Sequence, residues 1–247
     1  LLMARDKEDD GFKALSAIRD PYVGASLRDD ELEQALELLR QDELVELEKP
    51  EDMPYRVSQL LASGEVVGRY VGRADARSRG LGNRSLLARA DYPPARQHLR
   101  DIAASDSFWS SQAIFWQAER LRNNFREADT LSEAPCGEFC LTPRNASPWY
   151  GLQEGHNIPV QAISRAANKE FWELLDSYHA QLGRTPMLAG AWQDEQGNLV
   201  KNPLEAVRLW HEHALNALVL GPWLALRKEP TPQPVSERNQ HVMAYPA

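Results

Sequence analysis

The stretch SGEVVGRYVGRADARSRGLGNR, residues 63–84, sets how the rest of the chain is read. Ser63-Gly64 is a turn signal, and Val66 to Val71 is a short β-prone run. Arginines 69, 73, 77, 79 and 84 then lie among glycines 72, 80 and 82. Glycines let a backbone approach a ligand closely, and arginine forks match phosphate oxygens, so the stretch suits phosphate recognition. It equally describes a strand leaving into a solvated basic loop. Residues 55–61 form a second β-prone run, and Ser63-Gly64 joins the two as a hairpin. The expected fold class is α+β: helix-dominated, with a small antiparallel sheet around this central β-hairpin.

Helical patterns surround the hairpin. Residues 4–19 read as a short amphipathic helix stopped by Pro21. Leu32, Leu36 and Leu39 place a helix over 30–41, and residues 42–49 alternate as a half-exposed strand. Pro93-Pro94 is a break before a helix over 95–103. Ile114, Ala118, Leu121 and Phe125 form a stripe that predicts a helix over 106–129. Further helices are expected over 164–181 and 203–220, the second opening on Pro203, with a strand over 185–192 between them. Residues 131–150 read as irregular. The organisation expected is an acidic helical segment (1–52), an α+β core with the basic loop (53–150), a mainly helical part (151–229) and a Pro-rich tail (230–247).

The 247 residues carry a net charge of -8, which argues against a purely basic nucleic-acid binder. The charge is uneven: acids crowd residues 1–53, and arginines 69, 73, 77, 79, 84, 89, 96 and 100 form a basic island. Screening limits the reach of distant charge, so such an island can bind an anion. No apolar run is long enough to span a bilayer. No secretory signal pattern is visible, and only Cys136 and Cys140 are present, so a cytoplasmic, reducing compartment and no membrane partner are expected. The two cysteines lack the further ligands a zinc site needs unless His156 and another histidine supply them; two reduced thiols are the alternative.

Pro54-Tyr55-Arg56-Val57, then Tyr70-Val71-Gly72 and an arginine at 79, resemble the GIY-YIG nuclease pattern, with Glu119 on a following helix. The resemblance covers about residues 53–125 and departs from the pattern in its first motif, which lacks a glycine. It implies a metal-dependent nuclease, a hydrolase that cleaves phosphodiesters with one Mg²⁺ or Mn²⁺. Tyr70, with Tyr55, would position or activate water, Arg79 would stabilise the phosphorane, and Glu119 would hold the metal. Arg69, Arg73, Arg77 and Arg84 are the expected nucleic-acid-binding residues.

Two other readings stay open. His156, Asn202, His211 and His213 loosely resemble an HNH nuclease, although a whole helix separates the first from the others. Alternatively the chain is a non-catalytic interaction subunit. Trp109, Trp116, Trp172 and Trp210 would then offer a protein-partner surface, and the basic loop would touch a nucleic-acid backbone or an acidic protein.

Overall fold

The computed structural model describes residues 21–75, 81–102, 113–126, 139–144, 158–194 and 196–229. The expected helix over 4–19, the Pro-rich tail, Arg77, Arg79, Trp109, Cys136, His156 and most of the irregular segment 131–150 lie outside them.

Helix α1 (Asp29–Gln41) buries Leu32, Ala35, Leu36 and Leu39 at helical spacing. Acids fill its first turn and Arg40 its last, as the helix dipole favours. Strand β1 (Val45–Glu48) leads through Pro50 to α2 (Met53–Ala62), which starts where the Asp52 side chain accepts the Tyr55 amide at 2.9 Å. Next come β2 (Val67–Tyr70), β3 (Arg84–Arg89), α3 (Pro93–Ile102) and β4 (Ala113–Gln117). A 3-10 turn (Ala118–Arg120) runs into the single turn α4 (Leu121–Asn124). The remaining elements are β5 (Phe139–Leu141), β6 (Ile158–Ile163), α5 (Lys169–Leu182), β7 (Met187–Ala191), α6 (Pro203–Glu212), β8 (Ala217–Leu220) and β9 (Trp223–Arg227).

Among the described residues nine strands form one sheet in the order β1-β9-β8-β2-β3-β7-β4-β6-β5. The β2–β8 and β4–β6 pairs are parallel and the others antiparallel. Helices α2 and α5 cover one face, over Val67, Leu87, Phe115 and Val219. Helices α1, α3 and α6 cover the other, over Tyr70, Leu86, Trp116, Trp192 and Leu218. Burial on both faces explains why β8 reads as a continuous apolar run rather than an alternating one, and why every residue of β2, Arg69 included, is buried. Gly68 serves this packing: a Cβ there would lie 2.8 Å from the Trp192 ring, so the bare backbone is what lets the indole lie against β2.

The expected helix-dominated fold with a small antiparallel sheet is therefore corrected to a large mixed sheet with helices on both faces. There is no hairpin of residues 55–71. Residues 53–62 are helical, because Asp52 caps the segment and Val57 and Leu61 share a buried face. The partners of β2 are β3 and β8. The helix expected over 106–129 fails at Ala113–Gln117, a strand whose Ile114, Phe115 and Trp116 are buried towards both helical layers. The helix from Pro203 ends at Glu212, where His213 caps it and Ala214 takes φ 51, and β8 follows. Among the described residues no helix is long and apolar enough to cross a membrane.

Candidate functional site

Two buried arginines shape the loop between β2 and β3. Arg69 projects from β2 and donates from Nη1 to the Gly82 carbonyl (2.7 Å) and Asn83 Oδ1 (3.0 Å), the segment that enters β3. Its Nη2 donates to Glu170 Oε1 at 2.9 Å, and its guanidinium lies 5.1 Å from the Phe171 ring centroid. Arg84 projects from β3 to the opposite face. It donates to the Val71 carbonyl and, at 3.1 Å, to the Gly72 carbonyl, the segment that leaves β2. Its guanidinium stacks 3.6 Å from the Tyr70 ring centroid. The alternating pleat sends these neighbouring side chains to different helical layers, yet each holds the other strand's end.

Asn83 and Asp75 complete the loop's framework. Asn83 Oδ1 also accepts from Asn168 Nδ2 at 3.2 Å, and its Nδ2 donates to the Arg73 carbonyl at 2.9 Å. Asp75 accepts the amides of Asn83 (3.2 Å) and Arg84 (2.8 Å). Burial raises the Asp75 carboxyl above its ordinary range and lowers the Arg84 guanidinium. Each partly offsets the other's desolvation.

The loop borders a crevice of about 540 Å³ beyond the carboxyl ends of β1, β2 and β8, which run in the same direction. Its walls come from five segments: Ser26 and Leu27 ahead of α1; Lys49 to Pro54 between β1 and α2; Val71 to Arg73; Glu170 in the first turn of α5; and Gly221-Pro222 after β8. Crevices at the carboxyl ends of parallel strands are where open α/β sheets bind ligands. Gly72 (φ 50) and Gly221 (φ 56) make the bends that open it. Gly221 donates its amide to the Tyr70 carbonyl at 2.9 Å, which ties the β8 end to the β2 end. Residues 24–27 run beside 72–74 through Leu27 N to Gly72 O (2.9 Å) and Ala74 N to Ala25 O (2.8 Å). Arg73 is exposed at the rim, with Nη2 donating to the Val23 carbonyl at 2.9 Å. The crevice thus places the cations Lys49 and Arg73 beside the carboxylates Glu51 and Glu170. Such a set suits a ligand with an anionic end and an N–H donor.

The residues singled out from sequence fall in several places. Tyr55 is exposed on α2. Tyr70 is buried, its hydroxyl donating to the Lys201 carbonyl at 3.0 Å and its pKa raised by burial. Glu119 is exposed on the 3-10 turn and accepts from the Trp172 indole at 3.1 Å. β3 and β7 separate β2 from β4, three strand spacings or about 14 Å. The two strands also run in opposite directions, so Glu119, past the carboxyl end of β4, lies at the other end of the sheet from Tyr70. Arg69 and Arg84 are buried in backbone clamps, and Arg73 alone of the described candidate arginines reaches the crevice. Among the described residues no group of three or more His, Cys, Asp or Glu side chains could hold a metal ion. Asn202 caps α6, accepting the Glu205 amide at 2.8 Å, while His211 lies 3.7 Å from Asp42. Trp116, Trp192 and Trp210 are core residues. Lys49, Glu170 and Gly221 were not singled out from sequence. The signal that could have found part of the crevice is Gly221-Pro222, a turn pair after an apolar run.

A family model described as the carbamoyltransferase C-terminus matches residues 58–227. The nodulation protein NolNO of Sinorhizobium fredii is 23% identical over 87% of this chain and 32% of its own length. The nodulation protein NolO of Bradyrhizobium diazoefficiens is 22% identical over 85% of this chain and 39% of its own length. The chain thus spans between about a third and two-fifths of the curated relatives it matches. Among solved structures it is similar to full-length HypF in the phosphate- and nucleotide-bound form, with 12% identity and a TM-score of 0.49, over 76% of this chain and 23% of HypF. The family match and the separation of Tyr70 from Glu119 overturn the nuclease resemblance. The expectations of a hydrolase, of phosphodiester cleavage and of DNA binding fall with it. The alternative of a non-catalytic interaction subunit is not supported either.

Proposed function

The chain belongs to the carbamoyltransferase C-terminal family, and from that premise we propose that it serves carbamoyl transfer, with the crevice beyond β2 and β8 binding the activated carbamoyl donor. The observation that carries this reading is the extent of the family match, which runs from α2 through β9 and so includes β2, both clamp arginines and the β8 end.

The chemistry fits the lining. A carbamoyl group moves by substitution at its carbonyl: the bond to the acceptor forms, the C–O bond to the leaving group breaks, and phosphate leaves as an anion. Negative charge grows on the leaving oxygens in the transition state, where fixed cations are of most use. Lys49 and Arg73 supply cations at the crevice. The carbamoyl NH₂ donates two hydrogen bonds, which Glu51 can accept. Rigid placement comes from Arg84 and Asn83, which fix the backbone of residues 71–73, and from Arg69, which holds Asn83 in turn.

The test is calorimetric titration with carbamoyl phosphate. Binding is expected to weaken about tenfold in Arg73→Ala and in Lys49→Ala, the loss of one charge-assisted bond each. Wild-type protein that binds carbamoyl phosphate no better than chloride contradicts the reading.

A further inference from the structure

Arg69 is held by contacts that do not depend on its carboxylate partner. Gly82 and Asn83 accept from Nη1, and Phe171 lies under the guanidinium. Its side chain is 3% exposed, whereas that of Glu170 is 54% exposed. Glu170 belongs to the crevice lining and Arg69 lies behind it, linked to the crevice through the Nη2 contact to Glu170. Its loss or rotation would leave a fixed, desolvated N–H donor without its carboxylate directly behind the crevice wall. An exposed carboxylate gains little from an ion pair, because water and salt compete for it. A buried guanidinium loses much when its partner leaves, unless another anion arrives. The pair is therefore poised for exchange: the half that moves is cheaply displaced, and the half that stays demands a replacement.

We propose that Glu170 is a stand-in anion on Arg69, and that a phosphoryl group entering the crevice displaces it and takes the Nη2 donor as its own seat. This rests on the reading of the crevice as the donor site and adds where the anionic end binds. Arg69 then supplies the inner contact, and Arg73 is a cation at the rim of the same crevice. Glu170 then sets selectivity. A ligand without a strong anionic end cannot displace it, and a singly charged halide makes too few bonds to compete.

The experiment titrates inorganic phosphate and carbamoyl phosphate into wild-type protein and Glu170→Gln, each checked by thermal unfolding. Removing the competing charge is expected to tighten phosphate binding about tenfold, the worth of one charge-assisted bond. The gain is expected to vanish when Arg69→Gln is added. Should that double variant not fold, the Arg69 Nε–H signal in Glu170→Gln is followed by NMR and is expected to shift saturably with phosphate. A gain below about threefold, a gain that survives loss of the guanidinium, or an unmoved Arg69 signal overturns the proposal. The two readings part cleanly. Carbamoyl phosphate binding that is equal in wild type and Glu170→Gln keeps the donor site and removes the seat. A tightened phosphate site that does not accept carbamoyl phosphate keeps the seat and removes the donor reading.

Discussion

Arg69 and Arg84 hold each other's strands: Arg69 on β2 binds the backbone entering β3, and Arg84 on β3 binds the backbone leaving β2. The loop they close carries Gly72 and Arg73 to the crevice. Replacing Arg84 by methionine keeps apolar bulk, takes the Arg84 donor from the Val71 carbonyl and leaves the Gly72 carbonyl with the Leu27 amide alone. A loss of about 3 kcal/mol in urea unfolding is expected. Arg84→Lys recovers only part of it, because one ammonium cannot reproduce a planar fork. A loss below about 1 kcal/mol for Arg84→Met contradicts the clamp.

Gly221 and Gly183 both take positive φ, at 56° and 62°, but their surroundings differ. A Cβ at Gly221 would lie 2.9 Å from Leu27 Cδ2, and one at Gly183 meets nothing within 4 Å. Gly183→Ala is expected to cost about 1–3 kcal/mol from backbone strain alone, because its ψ of -119° lies outside the left-handed helical well. Gly221→Ala carries that strain and also pushes Leu27 from the crevice wall, so it lowers the thermal midpoint further. Equal midpoints for the two variants contradict the packing described.

His179 gives the fold an acid-sensitive point. It lies against Trp116, ring centroids 5.0 Å apart, and its Nδ1 is 3.4 Å from Gln117 Oε1. Burial, helped by Arg120 and opposed by Asp176, pushes its pKa down to about 4 from 6.5. Between those values the unfolded chain takes up a proton that the folded chain refuses. Stability from this group is therefore complete above about pH 6.5 and lost as pH falls towards 4, by up to about 3 kcal/mol. Thermal midpoints from about pH 7.5 to about pH 4.5 should fall, and less steeply in His179→Phe. The variant keeps some slope, because burial lowers His211 and His213 as well. A wild-type slope in His179→Phe contradicts this assignment.

Local patterns foretold several elements and misjudged the sheet. The Leu32–Leu36–Leu39 stripe gave α1, and the Phe171–Leu174–Leu175–Tyr178 stripe gave α5. Pro203 marked the start of α6, with Asn202 capping it. What misled was burial on two sides. Ala113–Gln117 and Ala217–Leu220 are short apolar runs with no alternation, and periodicity does not separate a buried strand from a helix. β8 hid inside the expected helix from Pro203, and without it the parallel partner of β2 was lost. The crevice was lost with it, since its walls come from segments about 200 residues apart in sequence, from Ser26 to Pro222. The basic loop was legible as a run of arginines. Its use was not, because burial turned Arg69 and Arg84 inward and left Arg73 at the rim.

The central claim, that the crevice beyond β2 and β8 binds a carbamoyl donor, is most directly tested by amide NMR of the protein titrated with carbamoyl phosphate. The account predicts saturable shifts of the Gly72, Arg73 and Gly221 amides, with those of Gly72 and Gly221 moving together to about tenfold higher concentration in Arg73→Ala, while Glu119 at the far end of the sheet stays unmoved. Shifts that gather around Glu119, or none that saturate at Gly72 and Gly221, contradict it.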